Sequence, residues 1–219
     1  MDLQIFFESV QGKVALAALL CICLLVASYR RDEKKQSAVA LVYCAVSVAL
    51  AFLLNNIILF RMPQGGSVTP LSMFAITVIG YWFGPRSGIC AGCAFGLLNM
   101  LVSPYVISPM QGLLDYPLAY GMLGLSGVAF RERKYGSLVG GLAVGVLGRF
   151  ACSFLSGVLF FGEYAPVQYG AVLWSIVYNI SFMGAEFVLT CIALAVKPMR
   201  EAVFTIRDNI ANTNGNREE

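Results

Sequence analysis

SLVGGLAVGVLGRFACSFLSGVLF, residues 137–160, contains a single charged side chain, Arg149. An α-helix crosses the hydrocarbon core of a bilayer with about 20 predominantly apolar residues. A cation near the centre of such a helix costs about 2.5–3.5 kcal/mol on insertion scales, so it faces the protein interior and has a task there. The stretch therefore reads as a transmembrane helix with one inward-facing arginine, and the rest of the chain extends that reading. Hydrophobic residues make up 58% of the 219 and charged residues 12%, against roughly 25% charged in soluble domains. Mean hydropathy is +0.76. The surface is built for lipid, and no stretch remains for a separate soluble domain.

Apolar runs separated by polar punctuation predict spans over about 12–29, 37–60, 69–84, 87–103, 111–130, 137–160 and 171–196. Basic residues crowd alternate loops: Arg30, Arg31, Lys34 and Lys35; then Arg86; then Arg131, Arg133 and Lys134; then Lys197 and Arg200. The other loops hold only Arg61. By the positive-inside rule the crowded loops are cytoplasmic, which puts the N-terminus outside and the C-terminus inside and requires an odd number of spans. Seven fits. Asp2 and Glu8 precede the 12–29 run and the positive cluster follows it, the reverse of a signal peptide, so this run reads as a retained span. The expected organisation is residues 1–36 as a first span with its basic loop, 37–200 as a six-helix membrane domain, and 201–219 as a polar cytoplasmic tail, amphipathic at its start and fraying at its end.

Several function classes are excluded or disfavoured. The chain has no His, so a His-ligated metal site or a His base is ruled out. Its seven Cys fall inside apolar runs, and Cys90 and Cys93, although spaced CxxC, lie in SGICAGCAFG and read as small packing residues rather than a redox or metal pair. There is no HExxH, repeated acidic metal motif, nucleophile elbow or phosphate-binding GxxxxGK[ST] loop. No enzyme activity, metal, cofactor or nucleic-acid partner is expected, and there is no internal repeat of the kind that marks many secondary transporters.

Helices associate in lipid through close contact of small residues. Gly88, Gly92 and Gly96 form one such stripe, Gly141 and Gly145 a second, and Ala45 and Ala49 a third; the first two read as internal seams, the third as an internal seam or a docking face for a partner protein. Three charged residues lie well inside the predicted spans, away from their first turns at the cytoplasmic or outer edge: Asp115, Arg149 and Glu186. Either Arg149 pairs with one of the acids to hold helices together, or the three line a cavity. Arg149, Ser153, Ser156 and Gly157 share one helix face, and Asn179 and Glu186 share another with Phe182 and Met183 between them. These polar faces converge in the outer half of the membrane. Around them stand Tyr105, Tyr116, Tyr120, Phe160, Phe161, Tyr164, Tyr169, Trp174 and Tyr178, in part an interfacial belt. A carboxylate beside aromatic rings suits a flat organic cation. The residues describe an outward-facing pocket for a small aromatic ligand.

PQGGSVT (63–69) with SMF (72–74), SPYVISPMQGLLDYPLAYGMLGLSG (103–127), RFACSFLSGVLFFGEYAP (149–166) and YNISFMGAE (178–186) together resemble the ThiT family, the thiamine-binding subunits of energy-coupling-factor importers. The resemblance runs in consistent order over about residues 37–196. It implies a six-helix vitamin-binding bundle in a bacterial cell membrane, here with an extra N-terminal helix, and as partners a membrane scaffold subunit and two ATPases. It also implies that Ala45 and Ala49 form the scaffold-docking face. In the pocket it assigns Asp115 to the aminopyrimidine, Tyr116 and Tyr105 to tyrosines of the site, Arg149 to a basic position, Gly157 to a glycine and Asn179 to a pyrimidine-contacting asparagine. Three positions depart from the pattern: Ser153 stands for a His, Phe161 for a stacking Trp and Trp174 for a Tyr. Hydrogen bonding and stacking survive these changes, while ligand identity stays open between thiamine and a related pyrimidine or thiazole precursor. A stand-alone transporter and a membrane-embedded enzyme are the remaining alternatives.

Overall fold

The computed structural model describes residues 38–128 and 132–215. The expected span over 12–29 and its basic loop lie outside them. Seven helical elements follow in order: α1 (Ala38–Asn55), α2 (Ser72–Phe83), α3 (Pro85–Val102), a composite α4, α5 (Tyr135–Phe160), α6 (Gly170–Ala195) and α7 (Lys197–Gly215). Four of them, α1, α3, α5 and α6, are long and apolar enough to cross a membrane. Their outer faces carry exposed Leu, Val and Ile side chains such as Leu41, Val46, Leu147, Val188 and Ile192, as lipid solvation allows. Ala45 and Ala49 also point outward from α1.

The span expected over 69–84 is built differently. Between α1 and α2, the short strands β1 (Phe60–Arg61) and β2 (Ser67–Val68) pair antiparallel around a turn at Pro63–Gly65. The helix that follows has only 12 residues, or about 18 Å, and cannot span about 30 Å of hydrocarbon alone. Its residues Ser72 to Tyr81 are all buried. Its first turn meets Glu186, about 24 Å along α6 from Gly170 at 1.5 Å per residue. The chain thus enters the bundle as irregular backbone and becomes helical part-way through. Non-helical backbone at this depth is tolerated where protein, rather than lipid, surrounds it. Glu186 supplies what the buried helix start needs: Oε1 accepts from the Met73 N–H at 2.8 Å and the Ser72 hydroxyl at 3.0 Å, and Oε2 from Thr69 at 2.8 Å. A carboxylate at a helix N-terminus meets unpaired N–H groups and the positive end of the dipole. At the other end of α2, Gly84 turns the chain into α3 with φ 92°, a value glycine adopts without strain.

α4 is a relay of helix types: α over Pro109–Leu113, π over Leu114–Leu118, α again over Ala119–Met122 and 3₁₀ over Leu123–Gly127. Pro117 has no N–H to give to the carbonyl four residues back, and the ladder loosens around it. Both glycine stripes meet this element. A Cβ on Gly92 would overlap the Tyr120 carbonyl and one on Gly96 the Tyr116 carbonyl, while one on Gly145 would lie 2.7 Å from the Leu123 carbonyl oxygen. α4 is therefore clasped by α3 on one side and α5 on the other.

Residues 201–215 of the expected tail are helical, and its last four residues lie outside the described ones. The helical part belongs to α7, whose Val203, Phe204 and Ile210 are buried. Arg133 clamps it by pairing with Glu201 at 2.9 Å and Asp208 at 3.3 Å. The Trp82 indole donates to the Val203 carbonyl at 3.1 Å. In the same loop, Lys134 and Glu132 hydrogen-bond at 2.7 Å, which holds the lysine above and the carboxylate below their ordinary pKa values.

Candidate functional site

At the end of the bundle where the β1–β2 turn enters, helices α4, α5 and α6 part around a cavity of about 140 Å³. Tyr105, Asp115, Tyr116, Arg149, Ser153, Gly157, Phe161, Trp174 and Asn179 all line it. Tyr105 of the α3–α4 connection and Phe161 at the end of α5, 56 residues apart in sequence, meet there because the glycine seams let the helices close up beneath. At Gly157 a Cβ would overlap the Ser175 hydroxyl, so α5 and α6 touch at the cavity wall.

The polar groups fall into those that are spent and those that are open. Asp115 Oδ2 accepts from the Gln111 amide at 2.6 Å and the Ser156 hydroxyl at 2.8 Å, while among the described residues its Oδ1 has no hydrogen bond. Asn179 is 4% exposed; its Nδ2 donates to the Ser175 carbonyl at 2.9 Å and the Ser153 carbonyl at 3.4 Å, and no described residue donates to its Oδ1. The Arg149 guanidinium stands over the Tyr120 ring, 4.1 Å from its centroid. It forms no ion pair with Asp115 or Glu186 among the described residues, and its Nε is buried without a partner. Mutual neutralisation of the three ionisable groups is therefore not what the structure contains. Glu186 lies away from the cavity and is consumed by the start of α2.

Aromatic rings make the walls. Tyr105 stacks on Phe161 with centroids 5.9 Å apart and planes 19° apart. A ladder continues from Trp174 to Tyr178 at 6.3 Å and from Tyr178 to Phe182 at 5.7 Å. Tyr116 is fixed at its hydroxyl, which donates to the Ser103 carbonyl at 3.1 Å and accepts from the Tyr105 N–H at 2.7 Å.

The mouth is covered by Gln64, Gly65, Gly66 and Ser67. Gln64 has φ 59° and Gly65 φ 90°, and a Cβ on Gly65 would stand 3.4 Å from the Tyr105 ring. The Tyr178 hydroxyl donates to the Pro63 carbonyl and accepts from the Gly66 N–H at 2.8 Å. A Cβ on Gly66 would come within 2.6 Å of that hydroxyl. The turn is thus held against two rings of the cavity.

Besides the residues of the Pro63–Ser67 turn, two lining residues on the helices escaped the sequence reading, Gln111 and Ser175. Each had a signal: Gln111 lies four residues before Asp115, and Ser175 four before Asn179, the spacing at which helical side chains meet.

Comparison with known proteins gives a single answer. The family model described as thiamine transporter protein matches residues 41–205. The chain belongs to that family. Among curated relatives, the thiamine transporter ThiT of Bacillus subtilis (strain 168) is 31% identical over 179 residues, which is 75% of this chain and 92% of the relative. ThiT of Lacticaseibacillus paracasei is 27% identical over 121 residues, 48% of this chain and 60% of that one. A solved structure of ThiT from Listeria monocytogenes superposes with a TM-score of 0.62 at 27% identity, covering 74% of this chain and 96% of the other. Like its relatives in the thiamine transporter family, the chain is a multi-pass bacterial membrane protein with an all-α fold. Residues 1–40 and 206–219 lie beyond the family match.

Proposed function

We propose that this chain captures thiamine from outside the cell and hands it on for uptake, as the substrate-binding subunit of an energy-coupling-factor importer. The observation that carries the reading is the unspent Oδ1 of Asp115, facing a ring-lined cavity in a member of the thiamine transporter family. In this reading the carboxylate accepts a hydrogen bond from the aminopyrimidine, a charge-assisted bond stronger than a neutral one. Asn179 and Ser153 offer further polar contacts to the same ring system. Phe161, Tyr105 and Trp174 stack on the ligand, and a desolvated ring over a cation contributes about 0.5–2 kcal/mol. The Pro63–Ser67 turn acts as the lid, with Tyr178 as its latch. Gly157 lets α5 close against Ser175 of α6 and so sets the width of the cavity wall on which the ligand lies.

The chain acts as a carrier subunit rather than an enzyme. Energy comes from two ATPase partners through a scaffold subunit that docks on the outward-facing Ala45 and Ala49 of α1. A second reading keeps the scaffold and changes the ligand to a pyrimidine or thiazole precursor of thiamine. Ser153, Phe161 and Trp174 favour it, because sites with buried polar groups discriminate sharply when those groups change. Calorimetric titration of the purified protein with thiamine and with hydroxymethylpyrimidine separates the two. Saturable, tighter binding of thiamine supports the first; tighter binding of the precursor moves the assignment to the second; binding of neither removes thiamine and the pyrimidine precursor alike. Co-purification with ATPase subunits tests the partnership.

A further inference from the structure

Gln111 is 1% exposed, and its side chain is fully employed. A glutamine amide has two N–H donors and one carbonyl acceptor. Here Nε2 donates to Asp115 Oδ2 at 2.6 Å and to the Tyr105 carbonyl at 3.1 Å, and Oε1 accepts from the Ile107 N–H at 3.1 Å. Ser156, from α5, donates to the same Oδ2 at 2.8 Å. Two donors from two different helices thus converge on one oxygen of the carboxylate and leave the other to the cavity. The same amide holds the backbone of Tyr105, whose ring stacks on Phe161 and underlies Gly65 of the mouth. One side chain ties the acid to the wall and the mouth together.

We propose that Gln111, assisted by Ser156, is a specificity-determining positioning residue. It fixes the rotation of the Asp115 carboxylate so that a single oxygen faces the ligand as an acceptor, and the site thereby selects an amino-substituted pyrimidine over its oxo counterpart. This inference rests on the ligand reading given above. An amino group gives Oδ1 the donor it lacks, whereas an oxo group sets two acceptors against each other, and a buried acceptor left unpaired carries its desolvation cost uncompensated. A carboxylate free to turn would relieve that conflict by rotating away. A clamped one cannot, and a site built in this way rejects the wrong partner far more strongly than a pliable one does. Aspartate, one methylene shorter than glutamate, has less freedom to compensate, so its clamp decides more.

The test compares thiamine with oxythiamine, in which an oxo group replaces the pyrimidine amino group, by calorimetry on the full chain. In Gln111→Met, which keeps volume and removes the donors, the ratio of the two affinities is expected to fall at least tenfold, chiefly because oxythiamine gains relative to thiamine. Ser156→Ala, a smaller change that serves if the first variant does not fold, is expected to lower the ratio severalfold. Equal losses for both ligands would make Gln111 merely structural and overturn the proposal. A ligand-free measurement separates this from failure of the functional reading. In protein labelled with ¹⁵N-glutamine, one side-chain amide proton of Gln111 is expected to exchange slowly and to become fast in Asp115→Ala. Fast exchange already in the unmodified protein, or no change on removing Asp115, would overturn the clamp whatever ligand the protein binds. Absence of thiamine binding together with slow, Asp115-dependent exchange would instead fault the ligand reading and leave the clamp standing.

Discussion

Asp115 and Glu186 are both carboxylates placed deep in a lipid-solvated bundle, and the protein treats them in opposite ways. Glu186 has both oxygens occupied by donors from Thr69, Ser72 and Met73 and lies 2% exposed. Its role is to start a helix part-way through the bundle. Asp115 has one oxygen held by Gln111 and Ser156 and the other open to a cavity. A buried charge is costly unless its hydrogen-bonding capacity is used, so a capacity left open beside a cavity marks where a ligand completes the set. Saturation, rather than burial or charge, distinguishes the structural acid from the functional one.

The comparison breaks if both acids behave alike. Asp115→Ala is expected to weaken thiamine binding by about 2–5 kcal/mol, at least about thirtyfold in Kd, as when one partner of a buried charge-assisted pair is truncated. Unfolding in detergent should change little, and calorimetry with a thermal melt reads both. Glu186→Ala should do the reverse: it strands the Met73 N–H and leaves the Thr69 and Ser72 hydroxyls only each other, costing about 3 kcal/mol of stability, while the folded fraction binds with near-normal affinity. Comparable losses of affinity in the two variants would dissolve the distinction.

Smaller effects sharpen the picture around Asp115. Tyr178→Phe removes the hydroxyl that holds the Pro63–Ser67 turn; losing about 1 kcal/mol of hydrogen bonding should raise the ligand off-rate about fivefold in stopped-flow fluorescence. An unchanged off-rate would remove the turn from any gating role. Phe161→Trp enlarges the stacking surface opposite Tyr105 and should tighten binding of a flat cation by less than about 1 kcal/mol. A large loss instead would mean that the cavity is shaped for a phenyl ring and a different ligand.

Much of this architecture can be read from residue order. The spans over 87–103, 137–160 and 171–196 agree with α3, α5 and α6 to within a few residues, because a lipid-facing helix writes its length in uninterrupted apolar residues. The glycine stripes on α3 and α5 announce close seams, and the convergence of Asp115, Arg149 and Asn179 follows from helical periodicity. What stays hidden is set by contacts distant in sequence. The partners of Glu186 lie 113 to 117 residues away, so nothing local distinguishes its role from that of Asp115. The 69–84 run has the composition of a span, yet Thr69 and Ser72 are drawn to Glu186 and its helix starts only at Ser72. Within 109–127 the π and 3₁₀ segments shift the register, and a count in steps of 3.6 beyond Asp115 loses track of the helix face. The helix beyond 201 depends on Arg133 in a distant loop, and its local sequence is too polar to announce a docked helix.

A structure determined with thiamine bound tests the central claim most directly. The pyrimidine amino group is expected within about 3 Å of Asp115 Oδ1, with Oδ2 still held by Gln111 and Ser156 and Glu186 untouched by ligand. Thiamine bound elsewhere, or an Asp115 carboxylate turned away from it, would contradict the account.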